Sequence, residues 1–574
     1  MKYIPHFKYY ALGLFVLSAC SKSKKNNPTP VTPVNGDTTV TIKPQTDPAV
    51  AATMGFFLDD WTPKTFTTPP YADTTKPSAP ASVTVDVDYS NVITKVSKYL
   101  FGNNTNPYIG QLVTETGLIN NIKTLSPNVL RFPGGNVSSV YFWNGIVPAD
   151  APANLYDSNG NSVAAYYWLG NNTAAWTLSL DNYYAALQQT NSTGIITVNY
   201  GYARYGTSAH PDQVAAHLAA NWVRYDNGRT KYWEIGNESG GPWQAGYQID
   251  VTQNKDGQPK IITGALYGTH FKVFADSMRN AAKQIGAQIE IGAQITNPVS
   301  YNSVDPTWNS GLFASAGNYP DFYIVHDYYT GSDNETAATI LATPVTESKA
   351  IMTWVNSSEQ KGGVTSKPIA LTEWNIFATG SDQMVSNIAG MHATMVLGEL
   401  LKNNFGMASR WDLANGWNGG DDQGMFSLGD EPDNTTKWNP RPSFYHMYYF
   451  QKYFGDRMVN STVSGSSDVF SYASSFTSGQ AGVVLVNRGL ASQVVSINIQ
   501  NFAAGTRYYY YVLVGGTDNG QFSRKVYINS IGPTSVSGGP TNYAQITAKA
   551  ALVQGGIKIA LPPMSVIFLV ADAK

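Results

Sequence analysis

Short β-type apolar runs recur through the middle of the chain, separated by stretches long enough for helices, and most of them end in Gly, Asn or an ionisable residue. That is the pattern of parallel strands joined by helical crossovers. The runs fall at 99–102, 129–132, 194–198, 231–235, 289–292, 322–325, 369–371 and 408–411. Eight of them imply an α/β fold closed as a (β/α)8 TIM barrel. Between them, 211–225 places Val214, Leu218, Trp222 and Val223 on a predicted inner stripe. In the same way, 269–284 places Phe271, Phe274, Met278 and Ala282, and 386–405 is apolar enough for a helix buried between strands seven and eight.

After about residue 450 the helical period disappears and period-two alternation takes over, as at 481–486, 494–499, 508–513, 557–559 and 566–570, with Gly, Asn and Ser turns between. This predicts a C-terminal antiparallel β-sandwich. Residues 82–90, Ser-Val-Thr-Val-Asp-Val-Asp-Tyr-Ser, alternate in the same way ahead of the barrel, so an N-terminal strand is expected to complete the sandwich. The expected organisation is a leader at 1–20, a flexible tether at 21–50, an extended segment at 51–94 contributing to the sandwich, a catalytic barrel at 95–448 and the sandwich at 449–574.

The leader carries Lys2 and Lys8 before an apolar stretch at 11–17, which is too short to span a bilayer. It ends in Leu17-Ser18-Ala19-Cys20, which resembles a bacterial lipoprotein signal. By that resemblance the only cysteine of the chain is lipidated, and the protein is an exported lipoprotein of the outer membrane, at the cell surface or on the periplasmic face. A lone cysteine excludes an intramolecular disulfide framework.

Across the 574 residues, 37 Lys and Arg stand against 39 Asp and Glu, so no broad attraction for a polyanion exists and nucleic acid is not an expected partner. Charged residues make up 13%, about half the usual share, while 36 Tyr and 13 Trp supply aromatic faces. Rings that stack on sugar C–H faces, with Asn, Gln and Asp for hydroxyls, favour a carbohydrate over a phosphate ligand. The acidic, glycine-rich stretch 419–424 reads as a metal-free turn, with Ca²⁺ the alternative.

A barrel enzyme works from the C-terminal ends of its strands. Two glutamates stand there: Glu238, ending Tyr232-Trp233-Glu234-Ile235-Gly236-Asn237-Glu238 after strand four, and Glu373, in Leu371-Thr372-Glu373-Trp374-Asn375 after strand seven. Strands four and seven face one another across the ring, so the two carboxyls can converge. Glycoside cleavage needs one group to protonate the departing oxygen and another to attack the anomeric carbon. Glu238 is the expected acid/base, with a raised pKa from mutual repulsion, and Glu373 the nucleophile. His326 or, preferably, Tyr328 is placed to donate to Glu373; Arg131 offers it a positive fork, and Asn237 can bond a sugar hydroxyl. Trp143, Tyr202, Tyr205, Trp243, Trp374 and Trp417 are candidate subsite walls, with Trp411 and Asn199 further candidate substrate contacts.

At these residues the chain resembles the arabinofuranosidases of glycoside hydrolase family fifty-one, within the clan of retaining barrel glycosidases. The resemblance rests on Leu130-Arg131-Phe132-Pro133-Gly134-Gly135-Asn136, Trp143-Asn144-Gly145, Val198-Asn199-Tyr200-Gly201, the segment 231–238 with Gly241-Pro242-Trp243-Gln244, and Thr372-Glu373-Trp374-Asn375. It implies Glu238 as acid/base, Glu373 as nucleophile, Asn237 as a ligand of the sugar 2-hydroxyl, Arg131, Asn199 and Tyr328 around them, and no metal or organic cofactor. Two departures stand out. Glu234, if strand four keeps its alternation, enters the barrel and needs a partner such as Arg131. The stretch 141–176 is long and rich in Trp and Tyr. The expected substrate is a plant or algal polysaccharide or oligosaccharide. An endo-acting β-glycanase, agarase-like activity included, and a non-catalytic glycan-binding lipoprotein are the competing readings.

Overall fold

The computed structural model describes residues 42–296, 306–331, 335–378 and 382–574; the leader with Cys20 and the tether up to residue 41 lie outside the described residues. Eight parallel strands close into a barrel. In chain order, strands one to eight are Gly102–Asn104, Val129–Phe132, Thr193–Val198, Tyr232–Ile235, Glu290–Gln294, Phe322–Asp327, Ile369–Trp374 and Met407–Arg410. Each pairs with its neighbours in the chain, and the eighth closes on the first through Ser409 and Gly102. Strand one begins later than the sequence suggests. Lys98–Leu100 is a 3₁₀ turn whose start is capped by the Ser97 hydroxyl, and Tyr99 packs beneath the barrel instead of entering it.

Helix Pro211–Asp226 buries Ala215, Ala216, Ala219, Ala220, Trp222 and Val223, whereas Val214, expected on the inner stripe, is 40% exposed. The seam is made of alanine, which lets the helix lie close against helix Gly264–Ile285. Helix Asn387–Lys402, between strands seven and eight, is buried on every side except at its end.

Below the barrel, the turn Gly55–Leu58 pushes Phe56 and Phe57 against Tyr99, Tyr232 and Phe322, and the Thr53 carbonyl accepts from the Ile369 amide at 2.7 Å. The aromatic N-terminal stretch is thus a plug for the floor of the ring. The chain is already held upstream of it, for Asp47 pairs with Arg457 at 2.6 Å and with Lys95 at 3.2 Å.

Nine C-terminal strands and two N-terminal ones form one eleven-stranded sheet that curls around a shared core including Val85, Val87, Val483, Leu485, Ile497, Ile559 and Leu569. The N-terminal strand Val83–Lys95 lies inside this sheet. Two of the pairings in this mainly antiparallel sheet are parallel. Val83–Lys95 runs parallel to Gln493–Gln500, and Tyr71–Asp73 runs parallel to Ala548–Leu552, while the other strand pairings are antiparallel. Both parallel pairs join N-terminal strands to the far end of the chain, where no hairpin dictates direction. Among the described residues no helix is long and apolar enough to cross a membrane.

Candidate active site

Strand alternation and one bulge decide what points into the mouth of the barrel. Between strands six and seven, Val325 pairs with Leu371 but His326 pairs with Glu373, leaving Thr372 as the extra residue. A bulge of this kind re-aims side chains. Here it sets Glu373 beside His326, whose Nε2 lies 3.1 Å from the Thr372 hydroxyl. After strand four the chain turns through Gly236 at φ 76° and Glu238 at φ 44°. A glutamate in the left-handed region is uncommon and marks a backbone held by its surroundings. Gln294 holds this one, accepting from the Ser239 amide at 2.7 Å and donating to the Ile235 carbonyl at 2.6 Å.

The two glutamates meet. One ligating atom each from Glu238, His326 and Glu373 lie within 4.8 Å of one another. Glu238 Oε1 is 3.0 Å from His326 Nδ1, and its Oε2 accepts from the Trp243 indole at 2.6 Å. Glu373 Oε1 accepts from the Tyr328 hydroxyl at 2.5 Å, and its Oε2 accepts from Arg131 Nη1 at 3.2 Å. His326 Nδ1 is also 3.7 Å from Glu373 Oε2, so the imidazole stands between the two carboxyls.

Arg131 organises the centre. Fully buried, it donates from Nε to Glu234 at 2.7 Å, from Nη1 to Asn104 at 2.9 Å and from Nη2 to Asn237 at 2.7 Å, in addition to Glu373. Glu234 therefore enters the barrel and takes the partner its register demands, with the Thr197 hydroxyl as a second donor at 2.7 Å. Burial works against the Arg131 charge, but Glu234 and Glu373 more than offset it and keep the guanidinium protonated.

Burial pushes both candidate carboxyls upward. At Glu238 the His326 hydrogen bond and charge, with Trp243 and Arg131, outweigh it and hold the carboxyl below its ordinary value. At Glu373 burial is joined by repulsion from Glu238, and His326, Arg131 and Tyr328 do not cancel them, so this carboxyl stands above its ordinary value. The proton that such a pair retains is thus favoured at Glu373, the reverse of the raised Glu238 that repulsion alone led us to expect. The difference comes from the donors that Trp243 and His326 bring to Glu238.

Other predicted residues are placed elsewhere. Trp374 follows Glu373 on the strand, so alternation turns it away from the mouth into the main core, where it is wholly buried. Trp143 stacks on Trp222 with centroids 6.0 Å apart and donates to the Leu218 carbonyl, making it part of the helix layer. Tyr202 and Tyr205 are buried and spend their hydroxyls on Asp150 and the Ser139 carbonyl. Asn199, 7% exposed, bonds the Tyr141 carbonyl, the Tyr205 hydroxyl and the Tyr202 amide. These are scaffold positions. Trp411 lies over Gly135, where a Cβ would meet its ring at 2.4 Å, so the glycine at φ 57° leaves room for the indole. Trp417 is stacked under Arg524.

Two supporting residues escaped sequence reasoning. Asn104, which accepts from Arg131, donates to the Thr372, Ser409 and Arg410 carbonyls and so ties the ends of strands one, seven and eight. Thr372 bonds His326. Alternation from Gly102 would have found Asn104, had strand one been started there. In the loop 419–424, Asp422 is committed to Arg441 at 2.6 Å and to the Gly424 amide at 2.6 Å. The trio Glu238, His326 and Glu373 has a spacing that a cation also fits, but three of the four carboxylate oxygens already accept from an N–H or O–H group and the fourth faces the His326 ring.

Residues 121–337 match the family model of the alpha-L-arabinofuranosidase 1 domain. An intracellular exo-α-(1→5)-L-arabinofuranosidase of Acetivibrio thermocellus is 25% identical over 284 residues, 45% of this chain and 50% of the relative. One of the same description from Bifidobacterium longum is 25% identical over 276 residues, 45% of this chain and 43% of the relative. The aligned part thus spans about half the length of the curated relatives. The crystal structure of the family 51 α-L-arabinofuranosidase of Thermotoga petrophila superposes with a TM-score of 0.59 at 18% identity, covering 85% of this chain and 100% of that one. The chain has the barrel-and-sheet fold of the family 51 α-L-arabinofuranosidases.

Proposed function

We propose that this chain is a retaining glycoside hydrolase that cleaves glycosidic bonds of a plant or algal polysaccharide or oligosaccharide, with α-L-arabinofuranosides as its first substrates. The observation that carries the reading is the convergence of Glu238 and Glu373, with oxygens within 4.8 Å, at the strand ends where barrel enzymes react. Retaining enzymes keep their carboxyls about 5–5.5 Å apart, whereas inverting ones leave roughly 6.5–9.5 Å for a water.

In the proposed reaction, Glu238 gives its proton to the departing glycosidic oxygen as the bond to the anomeric carbon breaks. The Glu373 carboxylate attacks that carbon and forms a sugar ester. Glu238, now ionised, takes a proton from water, whose oxygen attacks the same carbon and frees Glu373. Before the first step the proton of the pair must move from Glu373 to Glu238, and His326, 3.0 Å from one and 3.7 Å from the other, offers the path. Tyr328 and Arg131 then hold the ionised Glu373. Asn237 is fixed through its oxygen by Arg131, while its buried Nδ2 has no hydrogen-bond partner among the described residues, which suits it to a sugar hydroxyl.

The test is hydrolysis of aryl glycosides and plant and algal polysaccharides, with the anomer of the first product read by NMR. The expected result is cleavage with retention, and loss of the trapped sugar ester in Glu373→Ala. Inversion, or normal turnover by Glu373→Ala, would reject the assignment. Exposed Tyr166 and Trp176 in the loop after strand two favour an endo-acting β-glycanase as the second reading, which product lengths distinguish. We further propose, from Leu17-Ser18-Ala19-Cys20, that Cys20 carries the lipid anchor of an outer-membrane lipoprotein. Labelling of the full chain with palmitate should disappear in Cys20→Ser.

A further inference from the structure

The long loop after strand two carries rings that neither the core nor the two-glutamate chemistry uses. Tyr166 is 64% exposed and Trp176 is 52% exposed. Both stand edge-on to half-buried Trp168, with centroids 5.6 and 5.7 Å away, and Trp168 in turn stands 6.2 Å from Tyr108. The mount is rigid. Trp168–Leu169 pairs as a strand with Tyr141–Phe142, and the segments carrying Trp176 and Tyr108 are tied by Leu178 N to the Pro107 carbonyl at 2.7 Å and Gln111 to the Thr177 carbonyl at 2.6 Å.

The inner end of this line reaches the centre of the barrel. Tyr108 leaves strand one four residues after Asn104, which holds Arg131. Asn106, between them, donates to Asp412 beyond strand eight. Tyr108 therefore lies in sequence between the Asn104 and Asn106 contacts of the centre and the Trp168 ring of the loop.

We infer that Tyr166, Trp168 and Trp176 form a stacking platform for a neutral, extended glycan chain whose scissile bond lies at Glu238 and Glu373. The ligand class follows from the chemistry of the loop. Residues 141–176 contain two Asp and no Lys or Arg, and the exposed uncharged polar groups are Asn154, Ser158, Asn159, Asn161, Ser162, Asn171 and Thr173. Such a surface offers ring faces and amide or hydroxyl partners but no positive charge to an anionic ligand. The three rings present on the order of 300 Å², well short of the ~800 Å² per partner that a stable protein interface uses. Continuity with the cleft through Tyr108 selects a chain long enough to occupy both. The inference rests on the glycosidase reading for the position of the cleaved bond, and not for the binding itself.

The experiment compares the full chain with its Tyr166→Ala/Trp176→Ala variant, whose changes lie on exposed side chains. Native gels containing linear arabinan, arabinoxylan, xyloglucan, mixed-linkage β-glucan or agarose read binding, with Glu373→Gln in both backgrounds to prevent digestion. A small aryl α-L-arabinofuranoside reads the reaction centre alone. At least one polymer is expected to retard the chain, and the double variant should lose about three- to ten-fold in that affinity and raise KM for the same polymer to match. kcat/KM on the aryl substrate should stay unchanged. Absence of retardation by every polymer, or equal retardation of both proteins, overturns the platform. Retardation that depends on the two rings in a protein that cleaves none of the substrates supports the platform and rejects the hydrolase reading instead.

Discussion

At the scale of single residues, Tyr328 and Asp327 are neighbours with opposite surroundings. Tyr328 reaches inward to Glu373 at 2.5 Å. A hydrogen bond to an ionised group contributes about 1.5–3 kcal/mol, so Tyr328→Phe should lower kcat about 10- to 100-fold. Because the lost donor favoured the carboxylate, the acidic limb of the pH–rate profile should also move to higher pH. Asp327 points to the other side of strand six, where neither carboxylate oxygen has a hydrogen-bond partner among the described residues, and burial followed by repulsion from Glu347 pushes it up to about 8. The folded chain thus holds this proton more tightly than the unfolded chain. Its stabilising effect is complete below the ordinary carboxylate value and is lost as pH rises toward about 8. Asp327→Asn should therefore melt higher than the parent at pH 9, with the gap closing toward pH 4; parallel melting curves would refute this. The carboxyl pair was legible in sequence because both residues stand just past β runs. Trp374 has the side chain of a subsite wall but the strand parity of a core residue, and parity decides its place.

At the scale of elements, helices Asn387–Lys402 and Pro442–Tyr453 show what apolar periodicity leaves out. His446 lies against Gly390, where a Cβ would come within 2.3 Å of the ring, and its two nitrogens meet Asn387 at 2.9 Å and Thr394 at 3.2 Å. Gly390→Ala should force the imidazole out of this network and destabilise by about 1–3 kcal/mol, measurable by denaturant titration. Burial holds His446 and His392 down to about 3, so both are neutral in the fold. As pH falls below the ordinary histidine value the unfolded chain gains protons that the folded one refuses, and stability is lost in that window. Helices Gly264–Ile285 and Pro211–Asp226 explain which parts of the pattern are readable. Long stripes such as Phe271, Phe274 and Met278 announce themselves, whereas the alanine seam of Pro211–Asp226 carries little hydrophobic signal. Strand one was mispositioned because Tyr99 and Leu100 have strand-like side chains but sit in a turn set by Ser97.

At the scale of the whole molecule, the barrel is closed below by residues that precede it. Phe57 is 1% exposed among Tyr99, Tyr232 and Phe322, and Phe57→Ala should cost about 3–5 kcal/mol, seen as a lower melting temperature with the active-site residues untouched. The barrel and the late sheet were legible from their periods. The plug was not, because Phe56 and Phe57 sit in one short turn with no period to read. The strand Val83–Lys95 has a consequence for biosynthesis. Asp86 and its partner Asn498 are 412 residues apart, so at about 5–20 residues per second the ribosome delivers the second roughly 20–80 s after the first. For most of that interval an alternating apolar strand waits in the nascent chain without either neighbour, a template for wrong pairing that a holding chaperone would have to shield.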